Sequence, residues 1–181
     1  MAHASPFAVL SLAVLLAACR SDPIHYHTLI PQQPVPASSV DVQLEQVSVP
    51  PQVDRPQVVI RQGNSGLAIL ETEWWGASLA DELRNALVNQ FVSSTAQPRL
   101  GLRVEVQRFD SVPGQYALFD ARWRLRAGNG SALLNCRSVI QSPAGANIDE
   151  LVLAHQQNLK RFTELVSQAA RGGASRCPAV H

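Results

Sequence analysis

Leu100, Leu102, Val104 and Val106 alternate with Gly101, Arg103, Glu105 and Gln107, and beyond Pro113-Gly114, Ala117, Phe119, Ala121, Trp123 and Leu125 alternate with Leu118, Asp120, Arg122, Arg124 and Arg126. A period of two belongs to a half-buried strand, because successive side chains leave opposite faces of the backbone. Two such strands joined at a Pro-Gly turn form a hairpin with one apolar face, which must pack on something. The other face carries several arginines together with Glu105 and Asp120. It reads either as a basic platform for phosphate head groups or an acidic partner, or as a solvated sheet face with cross-strand ion pairs.

Toward the C-terminus, Gly128-Asn129-Gly130 signals a second reversal into a strand over Ala132 to Ile140, ended by Pro143 and Gly145. Asn147 with Glu150 three residues on has the form of a capping box. Ile148, Leu151, Val152, Leu159, Phe162, Val166 and Ala169 then make one apolar helical stripe, stopped by Gly172-Gly173. His155 lies on that stripe with no acid or thiol placed beside it, so it is read as a core or boundary histidine.

Toward the N-terminus, Ser78 caps a first helix with Asp81 and Glu82 in its opening turn, where backbone N–H groups favour negative charge. Leu79, Leu83, Ala86, Leu87 and Phe91 supply its apolar face, and it ends before Pro98. Upstream, Val40, Val42 and Leu44 alternate with polar residues, and the apolar phase then slips to Val47 and Val49, which predicts a bulge near Glu45-Gln46. Pro50-Pro51 ends that strand. Gln57 to Arg61 forms the next, and Asn64 with Gly66 suits a tight turn into Leu67 to Leu70. Before all of these comes a short β-prone segment, His25 to Ile30, followed by the proline-rich Pro31 to Pro36. His25 and His27 share a strand face but lack a nearby third ligand, so no metal and no cofactor is expected.

This order predicts an α/β fold. It is a single two-layer domain over residues 40–181, with a mixed, largely antiparallel sheet of about six to seven strands and two amphipathic helices. The chain carries 15 basic and 14 acidic residues, a formal charge of +1, which offers none of the basic surplus that nucleic-acid binding requires. No G-x-S-x-G, H-E-x-x-H, P-loop or G-x-G-x-x-G motif occurs, and a non-enzymatic protein is expected.

The first residues decide where such a domain sits. An apolar run from Phe7 ends in Leu16-Ala17-Ala18-Cys19, too short for the ~20 residues of a membrane span and suited to a cleaved signal at residues 1–18. Leu-Ala-Ala-Cys resembles the lipobox of bacterial lipoproteins, in which the cysteine becomes the acylated first residue. Two or three chains on Cys19 hold stably, at ~0.8 kcal/mol per buried methylene, where one holds only reversibly. Residues 19–39 are then a lipidated segment containing the short strand and the proline-rich connector. Arg20, in place of the aspartate that marks inner-membrane retention, implies by resemblance the periplasmic face of the outer membrane. With Cys19 acylated and the chain exported to an oxidising space, Cys136 and Cys177 are expected to form a disulfide. Closing a loop of that length contributes about 3 to 4 kcal/mol.

Four pieces together, Leu16-Ala17-Ala18-Cys19, Tyr26-His27-Thr28-Leu29, Val49-Pro50-Pro51-Gln52-Val53-Asp54-Arg55-Pro56-Gln57-Val58-Val59 and Glu73-Trp74-Trp75-Gly76-Ala77-Ser78-Leu79, resemble the ABC-type transport auxiliary lipoproteins, the PqiC-like family. Gly76-Ala77 stands where that family commonly has an acidic residue and a proline. The resemblance implies an α/β fold and an auxiliary subunit of an MCE-type system that moves phospholipid or other hydrophobic molecules. Its partners are then a periplasmic MCE protein and the inner-membrane transporter, with homo-oligomers left open. The alternative is an envelope lipoprotein that assembles or activates a cell-wall or outer-membrane machine. Arg55, Trp74 and Trp75 are the candidate partner contacts. Two adjacent tryptophans at a helix start send one ring inward and leave the other at the surface, and Arg55 serves either a structural ion pair or a contact.

Overall fold

The capped helices and most strands appear where the sequence pattern places them, but the strand expected over Leu67 to Leu70 runs on through Trp75, so the two tryptophans expected at a helix start lie in a strand. The computed structural model describes residues 22–33, 38–92, 100–172 and 176–179. The signal segment 1–18 and Cys19 lie outside the described residues. In chain order the elements are β1 (His25–His27), β2 (Ser38–Ser48), β3 (Gln57–Gln62), β4 (Gly66–Trp75), α1 (Leu79–Val88), β5 (Phe91–Val92), β6 (Leu100–Val112), β7 (Tyr116–Arg126), β8 (Ala132–Pro143) and α2 (Ile148–Arg171).

The α/β class with two helices holds, but the strands divide between two sheets rather than joining one. A five-stranded sheet runs β5-β2-β6-β7-β8, and a three-stranded sheet runs β1-β4-β3. The division arises from pairing: β2 runs parallel to β6, so the intervening β3–β4 hairpin and α1 must leave the sheet and return. The bulge expected in β2 is present, since Leu44 opposes Leu102 and Gln46 opposes Arg103, leaving Glu45 as the extra residue. The β6–β7 turn has Gly114 at φ 72°, and the β7–β8 turn has Gly130 at φ 84°, a region that glycine enters without a Cβ clash.

Both helices start as their residues require. The Ser78 side chain accepts from the Asp81 N–H at 3.3 Å, and Asn147 Oδ1 accepts from the Glu150 N–H at 2.8 Å. Phe91 departs from the helical reading. α1 ends at Val88, and Phe91 is buried as a strand residue opposite Ser38 of β2. Its spacing fits the helical stripe because the same core lies under both elements.

The helices cover one face of the large sheet. Leu102, Val104, Val106, Phe119, Ala121, Trp123 and Leu125 are each at most 4% exposed. The Phe162 ring meets Phe119 edge-on at 5.2 Å and Trp123 at 6.0 Å, while Trp123 Nε1 donates to Ser138 Oγ at 3.0 Å. Polar side chains of α2 are buried among these rings. Asn158 Oδ1 accepts from Ser142 Oγ at 2.8 Å, Asn158 Nδ2 donates to the Ala117 carbonyl at 2.9 Å, and Thr163 Oγ1 donates to Gln90 Oε1 at 2.8 Å. These bonds fix the rotation and axial position of the helix, which an apolar stripe alone leaves loose.

His155 is 1% exposed, stacked on Phe109 at 3.8 Å and hydrogen-bonded through Nε2 to Ser111 Oγ at 2.9 Å. Burial disfavours the imidazolium and pushes its pKa down to about 3.

A disulfide joins Cys136 of β8 to Cys177, with Cα atoms 5.6 Å apart across a sequence separation of 41. It pins the residues beyond α2 to the sheet.

Phe162→Ala should cost about 3–5 kcal/mol in denaturant unfolding, because its ring fills the space between two others. Between pH 6.5 and about 3 the unfolded chain binds the His155 proton and the folded chain does not, so stability should fall as pH drops through that window. His155→Gln, which keeps a polar group facing Ser111, should remove that part of the slope in urea titrations across the same range.

Candidate functional site

The conspicuous residues of the N-terminal half converge where β1 lies beside the end of β4. Tyr26 opposes Trp74 and His27 opposes Trp75 in the parallel β1–β4 pair, so the two tryptophans leave opposite faces. Trp75 points inward, is 3% exposed and meets Phe109 edge-on at 6.3 Å. Trp74 points outward and is half-buried; its Nε1 donates to the Glu71 carbonyl at 2.8 Å and its ring meets Tyr26 at 6.5 Å. Tyr26 is 66% exposed and Ile24 45%. Ile24 and Tyr26 alternate with the histidines, so the outer face of β1 and β4 presents apolar and aromatic surface to solvent.

The opposite face of β1 is held by contacts between histidines and carboxylates. His27 Nε2 donates to Glu73 Oε2 at 2.6 Å and His25 Nδ1 lies 3.2 Å from Glu73 Oε1. His27 Nδ1 lies 3.4 Å from Asp149 Oδ1 in the first turn of α2. Burial raises the Glu73 carboxyl, but hydrogen bonds and charge from His27 and His25 outweigh it and hold the group below the ordinary carboxylate range. The two histidines thus find their neighbours in carboxylates of β4 and α2, far away in sequence. Among the described residues no group of three His, Cys, Asp or Glu side chains is placed to hold a metal.

One buried carboxylate clamps the chain immediately after β1. Glu82, in the first turn of α1 and 5% exposed, accepts from Thr28 Oγ1 at 2.8 Å and from the Leu29 N–H at 2.9 Å. Local sequence places Glu82 at the helix start, and the fold gives it this second use. Gly76 sits under the clamp: its N–H donates to the His27 carbonyl at 2.8 Å, and a Cβ there would stand 3.0 Å from Glu82 Oε1. The small residue at this position therefore suits the close approach of Glu82.

The Asp54-Arg55-Pro56 loop docks on the same corner. Asp54 Oδ1 accepts from the Ala80 N–H at 3.3 Å, and the Pro56 carbonyl accepts from the Trp75 N–H at 2.6 Å. Arg55 is half-buried beside this corner, with its Nε shielded from water and without a hydrogen-bond partner. Arg55 and Trp74 are thus tied into one region, whereas Trp75 belongs to the core beneath it.

Elsewhere, Ser111 and His155 have the contact of a nucleophile and base but are 2% and 1% exposed, and among the described residues His155 Nδ1 has no hydrogen-bond partner and no carboxylate orients it. Among the described residues no helix is long and apolar enough to cross a membrane.

With this geometry in place, the chain can be set beside known proteins. Comparison with curated proteins gives no match. Among solved structures it resembles an uncharacterized protein, with 19% identity and a TM-score of 0.67 over 81% of this chain and 98% of that one. It also resembles a DUF330 protein from Xanthomonas campestris, with 17% identity and a TM-score of 0.63 over 84% and 97%. These likenesses show the fold alone. Residues 27–167, from the clasped His27 through nearly all of α2, match the family described as ABC-type transport auxiliary lipoprotein component, and the chain belongs to that family.

Proposed function

We propose that the protein is a non-enzymatic subunit of an MCE-type, ABC-driven system for phospholipid or other hydrophobic molecules, acylated at Cys19 and held on the periplasmic face of the outer membrane. The observation that carries this reading is the grip on β1. His25 comes only a few residues after Cys19, and each extended residue spans at most ~3.6 Å. A strand fastened by Glu73, Asp149 and Glu82 therefore transmits the position of the tether to the folded body instead of trailing from it.

The surface around Trp74, Tyr26 and Arg55 is the proposed contact for the MCE partner. Exposed aromatic side chains beside an arginine are enriched among residues that dominate binding energy. Trp75 supports this surface from below.

The test has two readouts. Protein extracted from native membranes should begin at Cys19 and carry acyl mass, and after mild cross-linking it should copurify with the MCE subunit. Trp74→Ala should lower that recovery at least tenfold while leaving thermal unfolding close to wild type. Trp75→Ala should instead lower stability itself, by about 3–5 kcal/mol. An unacylated, freely soluble form, or capture of a different envelope machine in place of an MCE protein, would contradict the reading.

A further inference from the structure

The face of the large sheet away from the helices is covered over only part of its area. Near the β6–β7 turn, Asp110, Leu118 and Asp120 are at most 5% exposed, and Arg61 of β3 reaches Asp110 Oδ1 at 2.8 Å from the small sheet. Farther along the same strands, nothing among the described residues covers the sheet. Two ranks of side chains cross four strands there. One runs Ser48, Glu105, Arg122, Arg137, and the other Gln46, Arg103, Arg124, Asn135. They floor a shallow depression of about 620 Å³.

Arginine dominates this grid: Glu105 stands opposite Arg122 on one side, but the remaining charged neighbours across the strands are of like sign. Arg103 stands directly opposite Arg124, and Arg122 directly opposite Arg137. Like charges at opposed cross-strand positions destabilise a sheet, and a face that meets only water lowers its energy by alternating signs. Two of the four guanidiniums have counter-ions at the margin: Arg103 Nε donates to Glu45 Oε2 at 2.6 Å, and Arg137 forms a two-pronged pair with Asp120 at 2.9 and 2.7 Å. That pair raises the Arg137 pKa and fixes the guanidinium plane. Glu105 is the sole acid within the ranks, and its Oε1 accepts from Gln107 Nε2 at 2.9 Å. No ion pair joins Arg122 or Arg124 to any described carboxylate, and both are exposed.

We infer that this arginine grid is a docking surface for an acidic segment of a partner protein. Planar guanidiniums held on a rigid sheet match carboxylates in pairs, and Arg122 and Arg124, which no described carboxylate pairs, gain counter-ions when acids settle among them. The position of the grid favours a protein over the anchoring bilayer. β1, the first described strand, is held to Asp149 in the opening turn of α2, the helix that follows the end of β8 at Pro143, whereas Arg137 lies six residues back along β8, about 20 Å from Pro143 at the rise of a strand. The grid therefore lies toward the end of the domain away from β1. The inference stands on this geometry and does not need the transporter to be of the MCE type.

The experiment uses the full acylated protein in phosphatidylcholine nanodiscs, titrated with a fluorescent polyglutamate peptide at increasing sodium chloride, and in parallel with phosphatidylglycerol vesicles. The peptide should bind, and binding should weaken as salt rises. Arg122→Gln with Arg124→Gln should reduce peptide affinity at least tenfold, equivalent to about 1.4 kcal/mol, and should leave thermal unfolding unchanged or raise it. Lys160→Ala, on α2, should change neither. Equal peptide affinity in the wild type and the double variant would overturn the inference. So would binding to phosphatidylglycerol vesicles without binding to the peptide, or a double variant that loses stability, which would mark the arginines as structural ion-pair formers.

Discussion

The molecule is governed by unequal cover over the long β6–β7 ribbon. A strand pair of this length has two faces, and each residue must be either packed or solvated. The helices bury one face from Leu102 to Leu125, while the β3–β4 hairpin reaches only the turn end of the other, through Arg61 and Asp110. The exposed arginine face stems from that shortfall. Where both faces are covered, Asp110 and Asp120 are buried and need arginines; where one is open, Arg122 and Arg124 face solvent. A third helix or a longer β3 would have closed the face and left no site.

The second constraint is the attachment of β1. Three residues of strand cannot hold a chain by backbone pairing alone, so side chains from three elements reinforce it: Glu73 from β4, Asp149 from α2 and Glu82 from α1. The buried polar contacts of α2, through Asn158, Thr163 and His155, set the helix at one height along the sheet and so place Asp149 within reach of His27. A buried polar group left unpaired costs about 1–3 kcal/mol, so any slip of the helix that breaks several such bonds is strongly disfavoured. The core thereby fixes the geometry at the tethered end.

How much of this was legible from sequence depends on the range of each contact. Caps at Ser78 and Asn147, the bulge at Glu45, the glycine turns and the alternation of β6 and β7 are local patterns, and each appears where the residues place it. One tryptophan inward and one outward was expected at a helix start; the outcome holds, but because β4 runs on through Trp75 and alternates the two rings across its faces. The split into two sheets was hidden, because the parallel pairing of β2 with β6 joins segments far apart in the chain and leaves no mark on either strand. Phe91 fitted a helical spacing and a buried strand equally well. The partners of His25 and His27 lie in β4 and α2, beyond any local reading. The arginines were visible on one face of β7, but only the register across β6, β7 and β8 shows that arginine stands against arginine.

The uncovered half of the sheet, as the proposed meeting place of this lipoprotein with another protein, is tested most directly by photo-cross-linking in living cells. A benzophenone side chain is placed at position 122 or 124, with position 160 on α2 as the reference. Adducts to one defined protein from 122 and 124, absent from 160 and abolished when the acidic segment at the cross-linked site of that protein is neutralised, are the predicted result. Adducts to lipid alone, or the same yield from all three positions, would contradict it.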